Sequence, residues 1–120
     1  MILNNEQIHE SVSALAEAKD EKGLLGYAVA VNLRRLRAEV AEYARQRDEL
    51  LAQYGTNIGG GRFNLTRADA DAFNEALKPF AVLETEVQVM QVPPEVFYSG
   101  GLTSSQMYVL SWMVKEGVGR

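Results

Sequence analysis

Hydrophobic positions in the middle of the chain repeat at alternating spacings of four and three residues. The repeat predicts one long helix that ends at Tyr54, with Gly55 suited to the left-handed residue that often closes a helix. We call the stripe formed by this repeat the seam: Val29, Leu33, Leu36, Val40, Tyr43, Arg47, Leu50 and Tyr54. All of its members except Arg47 are apolar or aromatic, as in a coiled coil. A stripe of this kind needs another surface to cover it.

The start of the long helix is marked less sharply than its end. Residues 27–31 have the β-branched content of a strand, although the pattern beyond them is helical. An earlier helix is predicted over residues 5–19, and its return through the polar turn at residues 20–26 would cover part of the seam. Because this first helix is shorter, the rest of the seam must meet the C-terminal helix, a second copy or a different protein.

Three helix starts share one capping pattern, in which a polar cap is followed three residues later by a side chain that reaches back to it. The pairs are Asn4 with Gln7, Thr66 with Asp69, and Thr103 with Gln106. The second and third pairs predict a helix over residues 67–77, which stops before Pro79, and a last helix over residues 103–115. Trp112 in the last helix is predicted to anchor the core or an interface.

Residues 83–89 alternate between apolar and polar side chains and are therefore predicted as a half-buried strand that ends before Pro93. Its partner is either the segment at residues 62–65 or the same strand of another subunit, which would make Val87 and Val89 interface residues. The glycine run at residues 59–61 predicts a flexible loop, either a hairpin tip or a linker. No GK[ST] sequence follows this run, so a nucleotide-binding loop is not expected.

Together these elements predict an α+β fold that is mainly α, with a long central helix in a helical hairpin, two further helices and one or two short strands. At 120 residues the chain is expected to form a single domain. Within it, residues 1–55 form the helical hairpin, residues 56–62 a flexible Gly-rich loop, and residues 63–120 a helix-strand-helix unit.

The net charge of −4 argues against nucleic-acid binding, because such binding depends on cations that neutralise phosphates. The densest basic cluster is Arg34, Arg35 and Arg37, but Glu39 and Glu42 follow directly and weaken its field. The chain has no cysteine, no secretory signal pattern and no apolar run long enough to cross a membrane. We expect a soluble protein of the host cytoplasm that is open to association with a virion.

The polar residues do not form a recognisable catalytic, cofactor or metal site. His9 is the sole histidine and is expected at the flank of the first helix. The carboxylates form two clusters, which are Asp69, Asp71 and Glu75 on the third helix, and Glu84 and Glu86 on the strand. Both clusters are interpreted as solvated surface, with the first favoured by the helix dipole. We therefore expect no catalytic residues, no cofactor and no metal ligands.

The segment at residues 27–36, followed by Glu42, Arg45, Arg47, Leu50 and Tyr54-Gly55, resembles the central helix of a family of small uncharacterised phage and prophage proteins. The order of elements, from an L-x-N-x-x-Q-I start to a final L-T-x-x-Q helix, is similar over nearly the whole chain. The resemblance implies a phage-encoded accessory or morphogenesis protein and assigns no activity to any residue.

These observations favour a phage-type structural, assembly or accessory protein that self-associates or binds another protein through the seam. A second hypothesis is an acidic regulatory or inhibitory module that binds a basic protein. A third is a small hydrolase whose site combines His9, Asp69 and Asp71 from different subunits.

Overall fold

The computed structural model describes residues 1–115 and has the predicted α+β architecture, mainly α. Its elements in chain order are β1 (Ile2–Asn4), α1 (Asn5–Glu17), α2 (Gly23–Tyr54), β2 (Thr56–Gly59), β3 (Arg62–Asn64), α3 (Arg67–Ala81), β4 (Glu84–Glu86), α4 (Pro94–Ser99), α5 (Ser104–Val109) and a 3-10 turn (Ser111–Met113).

The long helix α2 sets the length of the molecule. Its 32 residues span about 48 Å, which matches the 49 Å longest dimension of the fold. It begins at Gly23, so residues 27–31 are helical and the strand alternative is wrong. The helix ends at Tyr54 as predicted, but Gly55 is extended at φ −97° and not left-handed. Glycine is needed there for space, because a Cβ would lie 2.8 Å from the carbonyl oxygen of Leu51.

All three predicted helix caps are present. The Asn4 side chain accepts from the backbone N–H of Gln7 at 2.8 Å, and the Gln7 side chain accepts in return from the Asn4 N–H. Thr103 and Gln106 form the same reciprocal pair. Thr66 accepts from the Asp69 N–H without the return bond. The capping pattern in the sequence therefore locates three helix starts correctly.

The predicted strand over residues 83–89 is shorter than expected, and the prediction that it pairs with residues 62–65 is wrong. Only Glu84–Glu86 form a strand, and this strand pairs antiparallel with β1, the first strand of the chain. Leu3 lies opposite Thr85 in this pairing. Three residues at the start of a chain, with one buried side chain between two less buried ones, give too short a pattern to be recognised as a strand.

The Gly-rich segment predicted as a loop forms a β-hairpin. Strands β2 and β3 pair antiparallel, and Gly59, Gly60 and Gly61 all have positive φ at the tip. Glycine supplies these conformations without steric strain. Every residue of β2 is exposed, so this strand contributes no side chain to the core.

Helix α3 runs through Pro79 to Ala81, so the prediction that it stops before Pro79 is wrong. A proline removes one N–H bond, and near the end of a helix this loss affects only the last turn. The extra turn buries Ala81 and places the Phe80 carbonyl where the Asn5 side-chain amide donates to it at 2.9 Å.

The C-terminal third differs most from its prediction. Pro94 occupies the first turn of the short helix α4, a place where a missing N–H is harmless. Helix α5 ends at Val109, well before Lys115, and a 3-10 turn follows. The chain leaves the helix because residues beyond it pair with Val92, which donates to the Met113 carbonyl at 2.8 Å and accepts from the Lys115 N–H at 2.8 Å.

Candidate interaction surface

The seam of α2 lies largely inside the chain's own core. Five of its residues are buried, namely Val29, Leu36, Val40, Tyr43 and Leu50. The other three, Leu33, Arg47 and Tyr54, are half-buried. No member of the seam is exposed, so most of the stripe identified in the sequence is covered within one chain.

Two helices of the same chain cover the seam. Helix α1 folds back on it as expected, and the His9 ring meets the Tyr43 ring edge-on at 5.8 Å. Helix α3, and not the C-terminal helix, packs further along, where the Arg47 guanidinium lies 5.6 Å from the centre of the Phe73 ring. This cation–π contact keeps Arg47 within an apolar stripe without an acidic partner.

Burial lowers the pKa of His9 below 6.5, and the positive charge of Arg47 acts in the same direction. Burial likewise raises the pKa of Tyr43. The carboxylates that oppose the shift at His9 are Asp48 and Glu10. His9 is therefore held as a neutral ring between α1 and α2, in a packing role.

Acidification is expected to destabilise the fold through His9. Because the folded state binds the His9 proton less readily than the unfolded chain, the stabilising effect of neutral His9 is fully present above pH 6.5. It is lost as the pH falls from 6.5 through the lower pKa that His9 has in the folded state. The unfolding free energy of the wild type, measured with urea at pH 7.5 and 5.5, should therefore drop more than that of His9→Gln. Equal drops for the two proteins would contradict this account of His9.

One end of the seam opens into a groove on the surface of α2 beside the end of α1. The groove has a volume of about 460 Å³ and is open to solvent. Its lining comprises Lys19, Val29, Ala30, Leu33, Arg34, Arg37 and Ala38. The lining forms an apolar floor with three basic side chains, and two members of the seam, Val29 and Leu33, belong to that floor.

The basic side chains of the groove are not neutralised by ion pairs with neighbouring carboxylates in the described part of the chain. None of Lys19, Arg34 and Arg37 forms an ion pair within residues 1–115. Glu42, which was expected to weaken their field, is instead bound by Arg45 at 3.0 Å, and Arg45 also binds Glu49. These contacts raise the pKa of Arg45.

Glu39 also lies away from the groove. It follows Ala30 by nine residues, about two and a half helical turns, which puts it on the opposite side of α2. Arg35 precedes Glu39 by four residues and shares that side. Glu39 and Glu42 are therefore not among the residues that line the groove, and Glu39 lies on the face that carries Arg35.

The sequence pattern contained a signal for this groove. Small side chains at Ala30 and Ala38 leave space between Arg34 and Arg37 on one face of α2. Lys19 joins them only through the fold of the helical hairpin. A search for two arginines three residues apart, the first with an alanine four residues before it and another four residues after it, would have found the face, but not the contribution of α1.

The other residues singled out in the sequence lie elsewhere. Val87 is buried, while Val89 and Trp112 are half-buried against the chain's own core. The Trp112 indole N–H donates to the Ser11 hydroxyl at 3.0 Å across α1. Glu84 and Glu86 are exposed on β4. Over residues 1–115, no group of three or more His, Asp or Glu side chains is placed to hold a metal ion.

Comparison with known proteins gives no assignment: no family model, curated protein or solved structure matches the chain. None of the helices that the structure describes is long and apolar enough to cross a membrane.

Proposed function

We propose that the protein is a non-catalytic, phage- or prophage-type accessory or assembly protein that works by holding another protein. The phage setting rests on the sequence resemblance in the central helix and the order of elements. The mode of action rests on one observation, the apolar groove of α2 with its unpaired basic side chains. Since the rest of the seam is used within the chain, the groove takes the binding role first assigned to the whole seam.

A photo-crosslinking amino acid at Ala30, in the cells that make the protein, would test this proposal, provided that it carries a diazirine side chain no larger than leucine, which leaves most of the groove open. Ala30 is exposed and lines the groove, so a bound protein would lie within reach of it. One discrete protein adduct, lost when Arg34 and Arg37 are both replaced by glutamate, is the expected result. No adduct from Ala30 in cells where the protein is abundant would contradict the proposal.

The acidic regulatory module remains the second candidate, and the exposed carboxylates Asp71 and Glu75 on α3 favour it. A basic partner would bind on that side of the molecule, away from the groove. The same crosslinker at Glu75 therefore separates the two candidates. An adduct from Glu75 with none from Ala30 would favour the acidic module.

A further inference from the structure

We infer that the groove of α2 binds an acidic amphipathic helix of a partner protein. This inference rests on the proposed function and adds the chemistry of the partner. It follows from the shape of the groove, from its apolar floor and from the charge at its rim, which is formed by Lys19, Arg34 and Arg37.

The shape suits a helix. The groove follows α2 from Val29 to Ala38, about 14 Å at 1.5 Å per residue. Its sides are rows of residues four apart on α2, with Val29 and Leu33 in one row and Ala30, Arg34 and Ala38 in the next. Depressions between such rows accept the side chains of a second helix. A docked helix would place apolar side chains at positions i, i+3 or i+4, and i+7 over this length.

The floor explains why the partner must have an apolar face. Val29 is 1% exposed and only underlies the floor, whereas Leu33 is half-buried and keeps part of its apolar side chain in water before any partner binds. The exposed methyl groups of Ala30 and Ala38 give the groove depth and allow close approach of another backbone. A wholly polar acidic peptide would leave this surface uncovered.

The rim explains why the partner must be acidic. Lys19 lies on the α1 side, and Arg34 and Arg37 lie on α2. Arginine binds carboxylates through two parallel hydrogen bonds, which fixes geometry as well as charge. Carboxylates on both borders of the apolar stripe of a docked helix would meet these cations. Nucleic acid fits less well, because three cations beside an apolar floor in a chain of net charge −4 cannot neutralise a run of phosphates.

The test uses the intact protein and two helical peptides of about four turns. Both carry leucines at i, i+3, i+4 and i+7, flanked by glutamates in the acidic peptide and by lysines in the basic one. Titration followed by NMR at low salt should show that the wild type prefers the acidic peptide by at least about tenfold. Its affinity should fall as salt is raised.

Three variants make the result specific to the groove. Arg34→Glu combined with Arg37→Glu should invert the preference, so that the basic peptide binds more tightly. Ala30→Trp, at an exposed position, should fill the groove and weaken the acidic peptide at least about tenfold without a change in melting temperature. Arg35→Glu is the matched control and should retain the preference of the wild type, because Arg35 faces the opposite side of α2.

Several results would overturn the inference. One is that the wild type shows no preference for the acidic peptide. Another is that the preference does not invert when Arg34 and Arg37 are both replaced by glutamate. A third is that Arg35→Glu weakens binding of the acidic peptide as much as that double replacement does. Decanoate that displaced the acidic peptide at a comparable concentration would assign the groove to a small amphiphile. Dimerisation without peptide, abolished by Ala30→Trp, would assign it to a second copy. If Ala30 still crosslinks a protein in cells while the acidic peptide fails, the proposed function stands and only the acidic chemistry is wrong.

Discussion

Replacement of Leu36 by alanine is expected to lower the free energy of unfolding by about 2–5 kcal/mol. Leu36 is 0% exposed and sits in the centre of the seam, where residues of other helices enclose it. Removal of its side chain takes away buried methyl groups and leaves a cavity, and a long straight helix such as α2 cannot easily collapse to fill it. Urea denaturation followed by circular dichroism measures the effect.

The control for Leu36 is its neighbour in the sequence. Arg35 is exposed on the other side of α2, so Arg35→Ala should change the unfolding free energy by no more than about 0.5 kcal/mol. If Leu36→Ala changed the unfolding free energy as little as Arg35→Ala does, the seam would not be part of the core of the molecule. The assignment of α2 as the central element would then have to be abandoned.

Asn32 is the second position where a large effect is expected. It is a fully buried polar side chain on α2, and it holds the segment after β4 through both atoms of its amide. Its Nδ2 donates to the Met90 carbonyl at 2.9 Å, and its Oδ1 accepts from the Met90 N–H at 2.7 Å. Asn32→Ala leaves two backbone groups without partners. Each buried polar group left without a partner costs about 1–3 kcal/mol. Because Met90 is only half-buried, we expect Asn32→Ala to lower the free energy of unfolding by about 2–4 kcal/mol.

Aspartate at the same position distinguishes hydrogen bonding from packing. An ionised carboxylate introduced by Asn32→Asp would accept from the Met90 N–H but could not donate to the Met90 carbonyl, whereas the protonated acid could do both. The destabilisation by Asn32→Asp should therefore shrink as the pH is lowered from 7 to 4, when it is compared with the wild type at each pH. A penalty at pH 4 as large as that of Asn32→Ala would contradict the account in which the two hydrogen bonds to Met90 stabilise the fold.

The parts of the fold that were predictable from the sequence are those with strong local patterns. The seam repeats over seven spacings, so its burial and the end of α2 at Tyr54 were clear. The caps at Asn4 and Thr103 combine two specific side chains at a fixed spacing, and both were found. The continuation of α3 past Pro79 was missed because tertiary contacts at Ala81 outweighed a local rule.

What was missed depends on contacts between distant segments. The pairing of β1 with β4 joins Leu3 to Thr85. Strand β4 lies within the predicted strand, but β1 is too short to be recognised alone. Asn32 interrupts the apolar positions of α2, and its partner at Met90 is 58 residues away. The groove was missed because Lys19 joins Arg34 and Arg37 only after α1 has folded back. Such features need the topology before they can be recognised.

The contacts of α2 also have a thermodynamic consequence. Because this one helix packs against α1, α3 and α4, the segments before and after the β-hairpin share a single core and cannot melt independently. A fragment that ended near Gly55 would lack helix α3 and therefore the contact between Phe73 and Arg47. It would expose the apolar side chains of α2 that α3 buries. We therefore expect residues 1–115 to unfold as one cooperative unit.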